Sequence, residues 1–366
     1  MKPFVALLAA LMLALPASAA ARERDVPQPG PLSASGALAQ AGFTVVQAED
    51  GAMRTARAAG PSARRYSTPD GYQVAVEASA AYAVDPAADQ QLVDFLASRV
   101  HGTELGDLSV YVGTPDEIVG LCGGDPQVVA CYAIDEARMY VPGESVRGIP
   151  VEYPLTHEYG HHIALWRSNS PWDALDWGGK YWSSEKRICA GVRRGLLFPG
   201  NQGKHYWDDP GEGFADGYAH MHYPAQPWYY NDLMRPDAGT FAAIRRDVLQ
   251  PWTGPRSRTF RGPVGQRHPK RTFHIQVKLD GDLDLSLASP PGTVYTVQAQ
   301  IPDFAAGQRL RNGGSFGVEW CRHRKVDHVE LTVRRRKGSG PFALKVSWPG
   351  WVRTTSPGPC RPCGRR

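Results

Sequence analysis

The chain has 366 residues, 42% hydrophobic and 21% charged, which is enough apolar material for more than one buried core and excludes a disordered protein. Its formal net charge of +5 is unevenly placed: residues 257–366 carry 20 basic and 7 acidic side chains, whereas residues 1–256 carry 21 and 29. The basic part offers contact to acidic surfaces or glycans, but no nucleic-acid motif accompanies it and no nucleic-acid partner is expected.

Met1 and Lys2 precede an apolar run from Phe4 to Leu15, then Pro16 and the small residues Ala17 to Ala20, the pattern of a secretory signal over residues 1–20. The run is too short to span a bilayer, and no later stretch reaches eighteen apolar residues, so we expect an exported protein, extracellular or periplasmic, with no membrane span. Residues 21–65 are rich in Ala, Gly, Pro, Ser and Arg and read as a linker or pro-segment. Tyr72–Glu77 alternates as a strand does, Pro86–Val100 has helical apolar spacing, and Leu108–Gly113 reads as a half-buried strand. The stretch Ala133–Val141 ends in another strand before the Pro142-Gly143 turn. Six cysteines in an exported chain are disulfide partners first. Cys122 and Cys131 bracket a Gly-Gly-Asp-Pro turn and are expected to bond, while the pairing of Cys189, Cys321, Cys360 and Cys363 stays open.

Pro154 to Trp166 reads P-L-T-H-E-Y-G-H-H-I-A-L-W. Pro154 suits a first helical turn, Thr156 is a candidate cap, and Ile163, Leu165 and Trp166 continue an apolar face. On that helix His157 and His161 stand one turn apart and reach a common point, with Glu158 rotated toward whatever else the point holds. Two imidazoles and an open position suit Zn2+, which needs a third ligand from elsewhere. The aromatic, glycine-rich stretch Ser168–Tyr206, with Trp172, Trp177 and Trp182, reads as a long insertion that packs on the body or walls a cleft.

Glu212 and Asp216 lie four apart in D-D-P-G-E-G-F-A-D-G-Y-A-H-M-H, with Phe214, Ala215 and Ala219 as the apolar face of a second helix. Glu212 can complete a His-His-Glu site and Asp216 can accept the free ring N–H of His157. His205, Asp208, Asp209, His220 and His222 compete for the third place; Glu212 is favoured because Asp216, one helical turn on, can serve as the carboxylate that orients His157. After a Pro-, Gly- and Arg-rich boundary at Pro251–Pro269, alternating segments at 272–279, 283–288, 294–299, 328–333 and 342–347 give the pattern of a β-sandwich. We expect this part to fold as a separable unit.

A small sheet leading into H-E-x-x-H, with E-x-x-x-D beyond, resembles the gluzincins, the thermolysin-like branch of the zincin metallopeptidases, over about Tyr72 to Pro224. The gap between His161 and Glu212 is longer than in thermolysin, and Pro210-Gly211 stands where that family has asparagine. The metzincin pattern would need glycine and histidine where this chain has Ala164 and Arg167. The resemblance implies zinc held by His157, His161 and Glu212, Glu158 as general base, and a peptide or protein substrate. It also implies an oxyanion donor, for which Tyr218, His220, His222 and Tyr223 are candidates, and a substrate-binding edge strand at Met139–Val141. The C-terminal part is similar to the pre-peptidase C-terminal type of appended sandwich. The expected class is α+β, with a signal at 1–20, a linker or pro-segment at 21–65, a zincin-like domain at 66–255, a β-sandwich at 256–350 and a basic, Cys-containing tail at 351–366. A non-catalytic secreted binding protein on the same scaffold, and a zinc hydrolase of non-peptide amides, are the alternative readings.

Overall fold

A computed structural model describes residues 21–29 and 63–350. The expected signal at 1–20, most of the 21–65 segment, and Cys360 and Cys363 lie outside the described residues. The class is α+β, with mixed helix and sheet first and strands alone after residue 256.

The first part runs β1 (Arg64–Ser67), β2 (Gln73–Ala78), α1 (Pro86–Ala97), β3 (Ser109–Gly113), α2 (Pro115–Leu121), β4 (Cys131–Ala133), β5 (Arg138–Pro142) and α3 (Glu152–Leu165). The five strands form one sheet in the order β1-β2-β3-β5-β4, parallel in its centre and antiparallel at both edges. Side chains of a strand alternate between faces, and this sheet uses both. Val110, Tyr132, Met139 and Val141 enter the main core with Leu92, Phe95, Tyr159 and Ile163. Cys131, Ala133 and Tyr140 turn the other way, onto Ile118 of α2. Cys122, at the end of α2, is disulfide-bonded to Cys131 of β4, so the bond staples that helix to the sheet edge. Met139–Val141 is not an edge strand as expected: β5 is flanked by β3 and β4, and the three-residue β4, too short to be legible as a strand, takes the edge.

α3 begins at Glu152, two residues ahead of Pro154, and Thr156 does not cap it. Its hydroxyl donates to the Glu152 carbonyl at 2.7 Å inside the helix. Proline is tolerated there because first-turn N–H groups have no helical partner to lose. After α3 come α4 (Ala174–Trp177), α5 (Lys180–Glu185), α6 (Ile188–Arg193), α7 (Pro210–His222) and α8 (Ala238–Leu249). Trp182 is fully buried in the main core, and the rings of Trp172 and Trp177 stack on each other at 4.4 Å, so the aromatic insertion packs on the body. α7 starts at a cap in which Asp209 accepts from the Gly211 N–H at 2.8 Å, with Pro210 in the first turn.

Residues 21–29, in the segment read as linker or pro-segment, are bound along this body. The Arg22 N–H donates to the Ala81 carbonyl at 3.0 Å, Arg24 pairs with Asp89 at 2.8 Å in a nearly closed site, and the Gln28 N–H donates to Glu152 at 2.8 Å. No helix among the described residues is long and apolar enough to cross a membrane.

The second part is two four-stranded antiparallel sheets built from β6 (Arg256–Val264), β7 (Lys270–Val277), β8 (Gly281–Ala288), β9 (Val294–Ile301), β10 (Phe304–Arg311), β11 (Ser315–Trp320), β12 (Asp327–Lys337) and β13 (Gly340–Trp348). The sheet orders are β10-β9-β12-β7 and β11-β8-β13-β6. Leu283, Leu285, Val297, Leu331, Leu344 and Val346 fill the shared core, each from an inward position of its strand. The Pro- and Arg-rich stretch read as a boundary contains β6, which pairs with β13 along its whole length. Its residues are mostly exposed, so an edge strand carries no apolar alternation to read.

Each part has its own core, yet the seam between them is tied. Cys189 of α6 is bonded to Cys321, just after β11. The Asp280 N–H donates to the Ser184 hydroxyl at 2.9 Å, and the Arg322 guanidinium donates to the Ser184 carbonyl. A bond closing a 132-residue separation removes much freedom from the unfolded chain. Replacing both Cys189 and Cys321 by serine is expected to lower stability by roughly 2–4 kcal/mol, read as a shifted denaturant midpoint. An unchanged midpoint would show that the buried polar seam alone holds the parts together.

Candidate metal centre

α3 and α7 bring the site together because both are small where they meet. A Cβ on Gly160 would lie 2.7 Å from the Ala215 Cα, so glycine is what lets the two backbones approach. Glycine at this helix-interior position, unfavourable for the isolated helix, therefore has a packing reason.

At that contact His157 and His161 present their Nε2 atoms 3.2 Å apart. Glu212 turns one oxygen to each: Oε2 is 3.3 Å from His157 Nε2 and Oε1 is 3.5 Å from His161 Nε2. All three residues are fully buried. Ligand distances of about 2.0–2.2 Å at tetrahedral angles separate donor atoms by about 3.3–3.6 Å, and this triangle of three residues, with Glu212 meeting each histidine through a different oxygen, could hold a metal ion. Among the described residues the other cluster of metal-ligand types is Cys189, Glu319 and Cys321, whose two sulfurs are already bonded to each other.

Asp216 sits one turn beyond Glu212, with Oδ1 3.4 Å from His157 Nδ1. Its carboxylate also accepts from the Tyr153 hydroxyl at 2.8 Å and faces His220 Nδ1 at 3.2 Å. Burial alone would raise the Asp216 pKa, but the His220 charge and the hydrogen bonds from His157 and His220 outweigh it and hold the carboxyl well below its usual range. Glu212 is likewise held down to about 2, with the histidines overcoming its burial. For His157 burial opposes the charged ring, yet hydrogen bonds to Asp216 and Glu212 prevail and push it up to about 10. The carboxylates thus call for positive charge at the point where a cation would sit.

Glu158 is different. It is fully buried, and among the described residues neither carboxylate oxygen has a hydrogen-bond partner. Burial pushes its pKa well above the ordinary value, the His157 charge opposing and the Glu212 charge adding to the rise. A closed carboxylate beside these ligand-type residues, unbonded to any described residue, is in the right state to bind a proton or a polar ligand.

The competing ligands are placed elsewhere. His205 stacks on Phe198 at 3.7 Å, Asp208 accepts from Asn231 at 2.8 Å, and Asp209 is the α7 cap. His220 Nε2 donates to the Gln226 carbonyl at 3.0 Å, behind Asp216. His222 packs on Tyr218, and burial with the nearby Arg99 and Arg245 charges pushes it down to about 3. Of the candidate oxyanion donors, the Tyr218 hydroxyl donates to the Val100 carbonyl at 2.7 Å and Tyr223 is reached by Arg99 at 3.4 Å, so neither of these bonds points to the triangle.

Two tyrosines not singled out in the sequence stand closer. The Tyr206 hydroxyl donates to Glu212 Oε2 at 3.0 Å, and the Tyr230 hydroxyl, 3.0 Å away, can donate in turn to the Tyr206 oxygen. Tyr206 opens a three-residue 3-10 turn, Tyr206–Asp208, too short for any periodicity to mark it. Tyr153 was legible in principle, since it sits one helical turn ahead of His157 on α3. Tyr206→Phe removes a donor to a ligand carboxylate and is expected to weaken metal binding by roughly tenfold or more, measured by competition with a chelator. An unchanged affinity would mean that Glu212 is oriented by α7 alone.

His162, the third histidine of α3, has a structural place. Its Nε2 meets the Glu104 carbonyl at 2.8 Å, which can only accept, so Nδ1 accepts from the Tyr132 hydroxyl at 2.9 Å. Burial keeps this ring neutral, pushing its pKa down to about 4.

No protein-family model matches the chain, and no curated protein matches it. Among solved structures, the crystal structure of the Yersinia pseudotuberculosis-derived mitogen (YPM) aligns at 10% identity with a TM-score of 0.21, over 28% of this chain and 92% of that one. A likeness of that size carries no argument about fold or activity, and the functional reading rests on the residues themselves.

Proposed function

We propose that this chain is an exported zinc-dependent peptidase, a divergent gluzincin, with His157, His161 and Glu212 as the metal ligands. The observation that supports it most is the buried group of His157, His161 and Glu212, whose ligand atoms lie close enough together to hold a metal ion, beside a buried Glu158 whose oxygens find no hydrogen-bond partner among the described residues. Zinc held there would supply Lewis acidity, polarising a peptide carbonyl and acidifying a water molecule. Glu158 would accept the proton of that water and deliver it to the leaving amine, and its burial keeps the carboxylate basic enough to do so. Asp216 would take the His157 Nδ1–H and leave Nε2 as the donor atom, while Tyr153 and His220 hold Asp216 in place.

Export is supported by the secretory pattern at 1–20 and by two disulfides, which persist in oxidising compartments. The basic sandwich would serve as the contact to a surface or glycan. The test is metal analysis of the purified mature protein together with cleavage of a broad peptide library with and without chelator. Stoichiometric zinc and chelator-sensitive cleavage are expected. Zinc without cleavage would favour a binding protein on the same scaffold, and cleavage of a non-peptide amide alone would move the substrate class.

A further inference from the structure

The outer face of the β10-β9-β12-β7 sheet carries a row of cations at the end of its strands away from the first part of the chain. Lys270 on β7 is the register partner of Arg334 on β12, Arg334 of Thr296 on β9, and Thr296 of Arg309 on β10. Burial alternates along each strand, with Ile275, Val333, Val297 and Leu310 inside, so these four side chains point outward together. At about 4.8 Å between strands the row spans about 14 Å. One step further Lys337 and Arg311 flank Val294, and Arg336 Nε donates to the Thr296 hydroxyl at 2.8 Å, which lays another cation over the same face.

Little answers this charge. Lys270, Arg309, Arg311, Arg334, Arg336 and Lys337 are all exposed, and among the described residues their ion pairing is limited to Lys270 with Glu330 at 3.5 Å. The other carboxylates of the sandwich stand elsewhere. Asp282, Asp284 and Glu319 are on the second sheet, Asp280 and Asp327 are buried, and Asp303 is in the turn from β9 to β10, at the opposite end of the strands. The first part of the chain is docked at that opposite end too, through Cys321, Asp280 and Gly350. Outside the described residues the chain has two acidic side chains, Glu49 and Asp50, so even counted with Glu330 they leave the cations in excess. Like charges directly opposite each other weaken a sheet, and Lys270 across from Arg334 is a cost that a bound anion would offset.

Beside the cation row runs a neutral polar one, Thr272, Thr332 and Gln298, ending at Gly307. Neither row holds an aromatic side chain to stack on a base or an apolar one to enter a bilayer. Cations in line beside hydroxyl and amide groups, on an open sheet face, match a chain that alternates anionic groups with hydroxyls. We propose that this face binds an acidic polysaccharide, with sulfate or carboxylate groups on Lys270, Arg334 and Arg309 and sugar hydroxyls on Thr272 and Gln298. The site narrows the contact to a surface or glycan read for the sandwich above, rests on that reading, and is independent of the metal centre.

The experiment measures binding of the intact protein to dextran sulfate and to polygalacturonate, a sulfated and a carboxylated chain, against neutral dextran and a DNA duplex of matched charge. At least one acidic polysaccharide is expected to bind and to weaken as salt rises, while dextran does not bind and the duplex binds about tenfold more weakly or less. Arg309→Gln with Arg334→Gln removes two contacts, so affinity should fall by about tenfold or more and the salt dependence should flatten by about two counterions. Lys270→Gln with Arg311→Gln tests the same face separately and reports even if the first pair folds poorly. Arg261→Gln with Lys345→Gln lowers the net charge equally on the exposed face of the second sheet and should change little. If neither acidic polysaccharide binds, this site and the wider reading of the sandwich fall together. If the second-sheet pair weakens binding as much as the first pair, or the duplex binds as tightly, general basicity is the attraction and this site is overturned while the wider reading stands.

Discussion

Glu158→Gln is expected to keep zinc at about one per chain while peptide hydrolysis falls by roughly two to four decades, the share a general base supplies. The two effects separate because Glu158 is not among the ligand-type residues: its oxygens have no partner among the described residues, whereas Glu212 faces both histidines. Glutamine preserves the size of the side chain and cannot take up a proton at neutral pH. Glu158 is not one of the three ligand-type residues, so the substitution leaves His157, His161 and Glu212 in place to hold the metal. Zinc content by elemental analysis and initial rates on one peptide substrate, measured on the same preparation, check both halves. Full activity in this variant would end the general-base assignment and, with it, the proposed mechanism.

Glu212→Gln should act on the metal first. A neutral amide is a weaker ligand for a dication, and in this chain it would also disturb the bond that Tyr206 donates to Oε2. Zinc should be lost at chelator concentrations that the parent tolerates, and activity should return only with excess metal. Asp216→Ala leaves the triangle complete but frees the His157 ring, so its effect should be smaller, a loss of affinity of roughly 10–100-fold. The ordering is the informative result. If Glu212→Gln held zinc as tightly as the parent, the third ligand would have to come from elsewhere, although His205, Asp208 and Asp209 are engaged with other partners.

Much of this site was legible because it sits on helices, where spacing becomes geometry. His157 and His161, four apart, and Glu212 and Asp216, four apart, each had to share a face once helical, and the structure sets those two faces against each other. Cys122 and Cys131 were legible for a similar local reason, a short turn-rich loop. The inner strands of the sandwich showed themselves by alternation, since each carries one buried and one open face.

What stayed hidden depends on distant chain segments meeting. β6, β10 and β11 are edge strands with weak apolar patterns, and pairing to a neighbour is what makes them strands. Tyr206 and Tyr230 reach Glu212 from segments that have no period to read. The bond between Cys189 and Cys321 spans a separation of 132 residues, over which sequence carries no distance. By itself, then, the sequence determined which side chains could act together within a helix, a hairpin-length loop or an inner strand, because local backbone geometry converts spacing into direction. Only the tertiary structure decided that α3 and α7 would touch at Gly160 and Ala215, that β4 rather than β5 would take the sheet edge, and that the seam would be tied. Those outcomes follow from close packing between elements far apart in the chain, and packing is a property of shapes in space that no spacing along a sequence encodes.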